Sequence, residues 1–456
     1  MIDTERLLMG VTEPVTGCTE PAAVALAVSL AASAALARFP DWAGIEAPAE
    51  NTGADSFTRA AEIEALDLRT TRSMFKNSMA VGLPNTGGQS GILLAAALGA
   101  FLRPAGRLNL LKQTDDATLA AAQELIGRGA ARLEVDERDE EIFIEAQLIA
   151  LVEGERHVGE AVIRARHDGL CSLRRDGRQL HEQEVTAAED ALAGDLQQLS
   201  HSSIHELIDM ARAIAPEVRA HLVHGAAINR EAARIGVTKR LGLGVGATLQ
   251  DLVHRGHLSD SPVTRARIET AAAADARMSG FEVEILASNG SGNQGIMATV
   301  PVSVAADHLG AGDDRLAEAL ALGHLVTAAM TVSAGLLGGM CGCVIKAGVG
   351  AAGSIALLLS DEAAAVEGAI NNMAGNIIGE ICDGAKVGCA LKLGTAAGAA
   401  MEAAMLAAEG VIVPSTNGIV GKRACDTLDA VGDLARSMRE VDRRIVEIMR
   451  AKGSGG

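Results

Sequence analysis

Apolar and polar positions change rhythm three times along this chain. After a short acidic helix and a turn at Pro14 to Gly17, the run from Ala22 to Phe39 is too rich in alanine to show a polar face. That predicts a long helix buried on most sides, with Thr19 or the preceding turn as its cap and Pro21 in its first turn. Residues 43–70 hold two weak strand-like pieces, and the glycine-rich stretch from Gly82 to Gly91 leads into a predicted helix over Ile92 to Leu102. The period then shortens to two. Leu133 and Val135 alternate with polar neighbours, as do Ile142, Ile144, Ala146, Leu148, Ala150 and Val152. After a turn at Glu153-Gly154-Glu155, Gly159, Ala161, Ile163 and Ala165 do the same, the pattern of a half-buried antiparallel sheet. A charged linker over about 175–195 returns the chain to the 3.6-residue period, in helices His201 to Ala213, Pro216 to Ile235, Leu243 to His254 and Thr264 to Met278. Further helices follow from Ile296 to Ala306 onward, ending in the amphipathic Leu428 to Met449.

These rhythms predict a mainly α fold: a large Ala/Gly-rich helical domain over 1–103 and 195–456, with a small α+β module containing an antiparallel sheet inserted at 104–194. The uncharged run Leu325 to Ile345 is long enough to span a bilayer. It contains four glycines and two cysteines, and neither flank carries a positive cluster or an aromatic belt, so it reads as a buried helix.

Composition sharpens this picture. Aromatic residues make up 2% of the 456 and there is no tyrosine, while glycine reaches 51, so the core must be filled by small aliphatic side chains on closely spaced helices. A net charge of −18 opposes binding to nucleic acid or to an anionic membrane and fits a small-molecule partner. The first residues lack the basic and apolar regions of a secretory signal. Seven cysteines, an odd number in a chain this long, suit reduced thiols in a cytoplasmic protein better than a disulfide scaffold. Apolar helices poor in rings also suit a homodimer.

The candidate chemistry centres on cysteine. Cys341 and Cys343 lie in the most apolar stretch, and Cys382 and Cys389 follow in Gly379 to Lys392, among glycines that would let backbone wrap a bulky group. Thiolates are the usual ligands of iron–sulfur clusters, but these spacings match neither a ferredoxin run nor a zinc ribbon, and cysteine also packs as a small hydrophobe. Pattern alone leaves both readings open. Zinc is the rival metal, through His201, His205, His221 and His224, yet the order HxxxHE lacks the glutamate inside the pair. The loop through Asn85, Thr86 and Gly87 offers backbone N–H groups at a helix start, suited to a carboxylate, or is a tight turn between helices. Ser73 to Asn77 with the later glycine loop is loosely similar to pyridoxal-phosphate lyases, but the helical content between them argues against such a fold.

Taken together, several segments resemble the UPF0597 family, which includes L-cysteine desulfidase and is related to the iron–sulfur L-serine dehydratase α-domain. They are Gly17-Cys18-Thr19-Glu20-Pro21-Ala22-Ala23, Lys76-Asn77 with Val81-Gly82-Leu83-Pro84, Asp275-Ala276-Arg277-Met278, Gly290 to Gly295, Cys341-Gly342-Cys343, and Ile381 to Lys386 through Cys389 to Lys392. The resemblance implies a [4Fe-4S] enzyme, free of pyridoxal phosphate, that eliminates a β-substituent and converts L-cysteine to pyruvate, ammonia and sulfide. It implies that Cys382, Cys389 and one of Cys341 or Cys343 hold the cluster. The context Cys-x-x-x-Ala-Gly favours Cys343. Cys18 is a ligand or active-site candidate, and Lys76 or the Cys18 thiolate would take the α-proton. Asn77, Asn85, Thr86, Gly87, Asn289, Ser291, Asn293 and Gln294 would bind the substrate's carboxylate and amino group. Serine or another 3-substituted amino acid is the alternative substrate, and a non-catalytic metal-binding helical protein is the alternative of another class.

Overall fold

The chain begins with α1 (Thr4–Val11), whose first turn is capped by the Asp3 carboxylate accepting the Arg6 amide at 3.0 Å. A three-residue strand β1 (Pro14–Thr16) takes the place of the predicted turn, and α2 (Thr19–Ala35) follows, with all but one of its side chains buried. The computed structural model describes residues 2–37, 62–138, 140–184 and 192–453. Of the two strand-like pieces expected over 43–70, only the later is described, as β2 (Glu62–Thr71). The helices α3 (Arg72–Ser78), α4 (Ile92–Gly99) and α5 (Asp116–Gly127), with a 3-10 segment at Pro104–Gln113, lead to β3 (Ala131–Asp136). Then come β4 (Phe143–Val152), β5 (Glu155–Arg164), β6 (Leu170–Arg175) and β7 (Arg178–Glu182).

The protein is mainly helical with an embedded sheet, and that sheet has the order β3-β2-β4-β5-β6-β7. Two features differ from the sequence reading. First, β2 comes from outside residues 104–194 yet sits inside the sheet, between β3 and β4. Its alternation is broken by a bulge between Ile63 and Ala65, which hides the period in the sequence. Second, the sheet is mixed, not purely antiparallel. β2 and β3 run parallel, because the helical crossover through α3, α4 and α5 returns the chain to the same end. The strands β6 and β7 lie within and beside the segment read as a charged linker. β7 forms one edge of the sheet, and Arg174 and Arg178 there remain in water.

One face of the sheet packs on α2 across β4 and β5. Contact is backbone to backbone at Gly159, where an added Cβ would lie 1.9 Å from the Ala31 carbonyl oxygen. We expect Gly159→Ala to destabilise the protein by at least about 1–3 kcal/mol, the range for overpacking, read as a lowered urea midpoint. An unchanged midpoint would show that α2 and β5 can separate freely.

The remaining helices form the larger core. They are α6 (Ala193–Leu199), α7 (Ile204–Arg212), α8 (Pro216–Lys239), α9 (Val245–His254), α10 (Pro262–Met278), α11 (Gly292–Leu309), α12 (Asp313–Ala334), α13 (Val349–Ser360), α14 (Ala363–Ile377), α15 (Cys389–Ala408), α16 (Ala424–Ser437) and α17 (Arg439–Gly453), with a strand β8 (Glu284–Leu286) before α11. The predicted single helix Leu428 to Met449 is two helices broken at Met438. The scarcity of rings has the consequence expected of it. α8 meets α10 so closely that a Cβ at Gly236 would lie 2.0 Å from the Ala272 carbonyl oxygen.

The uncharged run 325–345 is not one helix. α12 stops at Ala334, the chain crosses a glycine-rich strap over Gly335 to Gly339, and a π-helical turn at Cys343–Gly348 runs into α13. Two described helices, Asp313–Ala334 and Cys343–Ser360, are long and apolar enough to cross a membrane, but 72% and 78% of their apolar windows are buried against the core.

His324 on α12 is fully buried, with Nδ1 2.9 Å from Ser288 Oγ and Nε2 unpartnered. Burial pushes its pKa down to about 3, and neighbouring His221 acts in the same direction. In the unfolded chain the ring titrates near 6.5, so the unfolded state binds the extra proton between those values. Stability is therefore complete above pH 6.5 and falls as pH drops toward 3, with a slope of up to about 1.4 kcal/mol per pH unit. His324→Gln should flatten urea-derived stability across that window; an identical slope would assign the loss to other groups.

Candidate active site

Three distant parts of the chain are drawn together by short backbone pairings. β1 pairs antiparallel with β8, Pro14 opposite Leu286 and Thr16 opposite Glu284, so Cys18 comes to lie beside the loop that starts α11. Thr19 Oγ1 donates to the Gly290 carbonyl at 3.4 Å, and the Asn289 amide donates to the Val11 carbonyl at 2.8 Å. A second pairing joins the two cysteine clusters. Met340 bridges Ile381, the Cys341 amide donates to the Glu380 carbonyl at 2.9 Å, and the Cys382 amide donates to the Gly339 carbonyl at 2.8 Å. A third bridge, Ala80 to Lys386, sets α3 against the loop before α15. There Gly384 (φ 94°) turns so tightly that a Cβ would meet the Lys76 carbonyl oxygen at 2.2 Å.

These contacts enclose a cavity of about 90 Å³ on which Cys18, Cys341, Cys343, Cys382 and Cys389 all open. Cys18 is the N-cap of α2 and 3% exposed. Burial pushes its thiol up to about 12, against the Arg277 guanidinium, which pulls it down. Cys389 begins α15, and burial lifts its thiol to about 11, while Lys386 opposes the rise. Cys341 and Cys343 act on each other's thiols, lowering the first and raising the second. Cys343 opens the π-helical turn, a distortion often found at functional sites.

Cations surround these thiols. Lys346 is buried behind the cysteines, donating from Nζ to the Gly335 carbonyl at 2.5 Å and the Leu336 carbonyl at 3.2 Å, and desolvation lowers its pKa to about 8. Asp383 accepts from Lys386 and, at 2.8 Å, from Lys392. Burial alone would raise that carboxyl, but the two ammonium groups outweigh it and hold it at about 2.

Among the described residues, no three His, Cys, Asp or Glu side chains converge tightly enough to hold a metal ion. The donor chemistry nonetheless suits an iron–sulfur cluster. Four thiols, Cys341, Cys343, Cys382 and Cys389, line one cavity, and Lys346, Lys386 and Lys392 stand near enough to offset the negative charge of thiolate ligands. No disulfide joins any described cysteine.

The other expected site residues divide. Asn77, Ser291, Asn293 and Gln294 line the cavity. Asn289 does not, and its amide bonds Ser288 Oγ at 3.1 Å. Asn85, Thr86 and Gly87 form a turn away from the cavity. Asn85 Nδ2 donates to the Lys112 carbonyl at 3.0 Å, and Thr86 Oγ1 to the Leu83 carbonyl at 2.8 Å, so that loop is occupied with its own structure. Lys76 is 1% exposed, but its Nζ is held by the Asp442 carboxylate and the Gly338 carbonyl and does not reach the cavity wall. Sequence reasoning passed over two cavity residues, Arg277 and Glu20. The signal for Arg277 was present as a lone cation in the alanine-rich Ala271 to Met278, a position where a helix buried on all sides has no solvent to offer it.

Residues 159–447 match the family described as serine dehydratase alpha chain. The UPF0597 protein of Desulfatibacillum aliphaticivorans is 35% identical over 446 residues, 96% of each chain. Those of Desulforapulum autotrophicum and Clostridioides difficile are 36% and 32% identical, over 96% and 97% of this chain and 95% and 98% of theirs. The chain belongs to the UPF0597 family. Within it, the serine dehydratase match begins inside β5 and takes in every cavity cysteine except Cys18, which the β1–β8 pairing supplies from the amino-terminal part. Two larger hollows, of about 810 Å³ beside α8 and α10 and about 780 Å³ on the sheet, lie apart from the five cavity cysteines. The cations of the first are already paired, Arg230 with Glu269 and Asp307, and Arg265 with Asp260.

Proposed function

We propose that this UPF0597 protein is an iron–sulfur-dependent lyase that works without pyridoxal phosphate, in the cytoplasm, and converts L-cysteine to pyruvate, ammonia and sulfide. The observation that carries the reading is the single cavity shared by cysteines from three separated segments. Cys382, Cys389 and one of Cys341 or Cys343 would hold the cluster, which when bound would supply Lewis acidity toward the leaving group.

The chain's own residues do the rest. Burial of Cys18, Asn77, Asn293 and Gln294 keeps bulk water from the reacting carbon. Cys18 Sγ takes the α-proton as the thiolate, a form that burial opposes and that the neighbouring Arg277 cation only partly restores. Loss of the α-proton and of the β-substituent leaves aminoacrylate, which tautomerises to the imine and adds water to give pyruvate and ammonia. Asn77, Ser291 and Asn293 orient the substrate.

A second substrate, L-serine, is favoured by the match to the serine dehydratase alpha chain family. Anaerobically purified protein tests both readings. The expected result is broad visible absorption that bleaches with dithionite, with sulfide released from L-cysteine faster than pyruvate is formed from L-serine. The reverse order of rates would select the serine reading. A cluster with no product from either would leave a metal-binding protein without turnover.

A further inference from the structure

Arg277 lies 3% exposed on α10, and among the described residues no carboxylate stands within ion-pair distance of it. A buried cation without a counter-charge is costly unless something anionic completes the site. Two bonds fix the guanidinium: Nη1 donates to Asn293 Oδ1 at 3.1 Å and Nη2 to the Gly17 carbonyl at 2.9 Å. Nε has no partner. A Cβ at position 292 would sit 2.4 Å from Nε, so Gly292 keeps that edge clear.

Two residues further along α11, Gln294 is 5% exposed and its amide oxygen is also unpartnered. A Cβ at Gly342 would come within 3.1 Å of the other end of this amide, so here too a glycine leaves room. Both side chains line the cysteine cavity. Two residues with unpartnered buried polar atoms, one a cationic donor and one an acceptor, therefore line the same small cavity.

We infer that Arg277 and Gln294 anchor the two charged ends of an α-amino acid, Arg277 receiving the carboxylate and the Gln294 amide oxygen the ammonium, with the amino acid's side chain turned to the cysteines. This rests on the amino-acid lyase reading of the cavity and narrows it to small zwitterions. Amines without a carboxylate and carboxylic acids without an ammonium leave one of the two buried groups unpaired, which is how such a site rejects them. Arg277 is a substrate-anchoring residue, and its charge also acts on the neighbouring Cys18 thiol.

The test uses the intact, anaerobically purified protein and three ligands that carry no leaving group: L-alanine, ethylamine without the carboxylate, and propionate without the ammonium. Calorimetric titration should show L-alanine binding about tenfold or more tighter than either fragment, the range for a charge-assisted hydrogen bond. Arg277→Met should erase the preference over ethylamine and keep that over propionate, and Gln294→Leu should do the opposite. Where Arg277→Met fails to fold, Arg277→Lys serves; its preference over ethylamine should fall at least about threefold, because an ammonium lacks the planar fork. A wild-type protein without preference, or an arginine variant with the wild-type preference, overturns the anchor. An unchanged preference together with a shifted pH profile for Cys18 alkylation would overturn it too, assigning the guanidinium to the thiolate instead. The two readings fail separately. Preferences intact with no turnover of cysteine or serine remove the lyase and leave the anchor, whereas turnover in Arg277→Met with unchanged KM removes the anchor alone.

Discussion

Cys382→Ser is expected to strip most of the iron from the protein and to lower sulfide release from L-cysteine by more than about 100-fold. Loss of an outer-shell partner at a metal site already costs 10–100-fold, and removal of a ligand should exceed that. The substitution preserves size and replaces a thiol by a hydroxyl that does not ionise near neutral pH, so packing is nearly unchanged while the donor is lost. Cys382 opens on the same cavity as Cys341, Cys343 and Cys389, and its amide is tied to the Gly339 carbonyl at 2.8 Å, which fixes its backbone irrespective of the side chain. Two controls sharpen the result. Cys171→Ser, on β6, and Cys425→Ser, on α16, lie outside the cavity and should keep both iron and activity. Cys18→Ser separates the roles: iron retained with turnover lost identifies it as the proton acceptor, whereas iron lost identifies it as a ligand. Unchanged iron content in Cys382→Ser would sink the ligand assignment.

The largest effect on stability is expected from Lys76→Met. Lys76 and Asp442 form an ion pair between α3 and α17 in which the lysine side chain is 1% exposed and the aspartate 10%. Removing one partner of such a pair leaves an unpaired buried charge and costs about 3–5 kcal/mol, readable as a lowered urea midpoint. The double substitution Lys76→Met with Asp442→Leu removes both charges and should recover much of that loss. A double variant as unstable as the single would show that the hydrogen bond from Nζ to the Gly338 carbonyl, at 2.8 Å, matters more than the pair. The same variant separates two roles for Lys76. If it only ties α17 and the Gly335–Gly339 strap, turnover should follow the folded fraction. Abolished turnover in fully folded Lys76→Met would return the lysine to the chemistry.

That strap explains why parts of the site were hidden from the sequence. Leu325 to Ile345 carries no charge and reads as one apolar run, but Lys346, Glu141 and Lys76 pull the glycine-rich middle out of helix. Lys346 does so through the Gly335 and Leu336 carbonyls, Glu141 through the Leu336 amide at 2.9 Å, and Lys76 through the Gly338 carbonyl. Two of the three partners are more than 100 residues away, and no local pattern reports them. The loop at Asn85 to Gly87 shows the opposite error. Its glycines suggest an anion site, yet its polar groups are satisfied by Leu83, Gln89 and Lys112. Glycine-rich turns look alike in sequence whether they face a ligand or close on themselves.

Periodicity by itself determined the helical class, the alternating strands β4 and β5, the turn between them and most helices from α7 to α11, because hydrophobic burial writes those periods directly into neighbouring positions. The order of motifs from Cys18 to Cys389 likewise pointed to the family and to a set of five cysteines. Tertiary structure alone decided the rest: β2 within a mixed sheet, Lys76 as a tie outside the cavity, and the unpaired Arg277 beside Cys18. Each depends on pairing between segments remote in sequence, where the outcome turns on which polar groups find partners across the fold. A thiol's neighbours along the chain reveal that it could bind or pack; only the β1–β8 and Met340–Ile381 pairings bring the five thiols to one cavity.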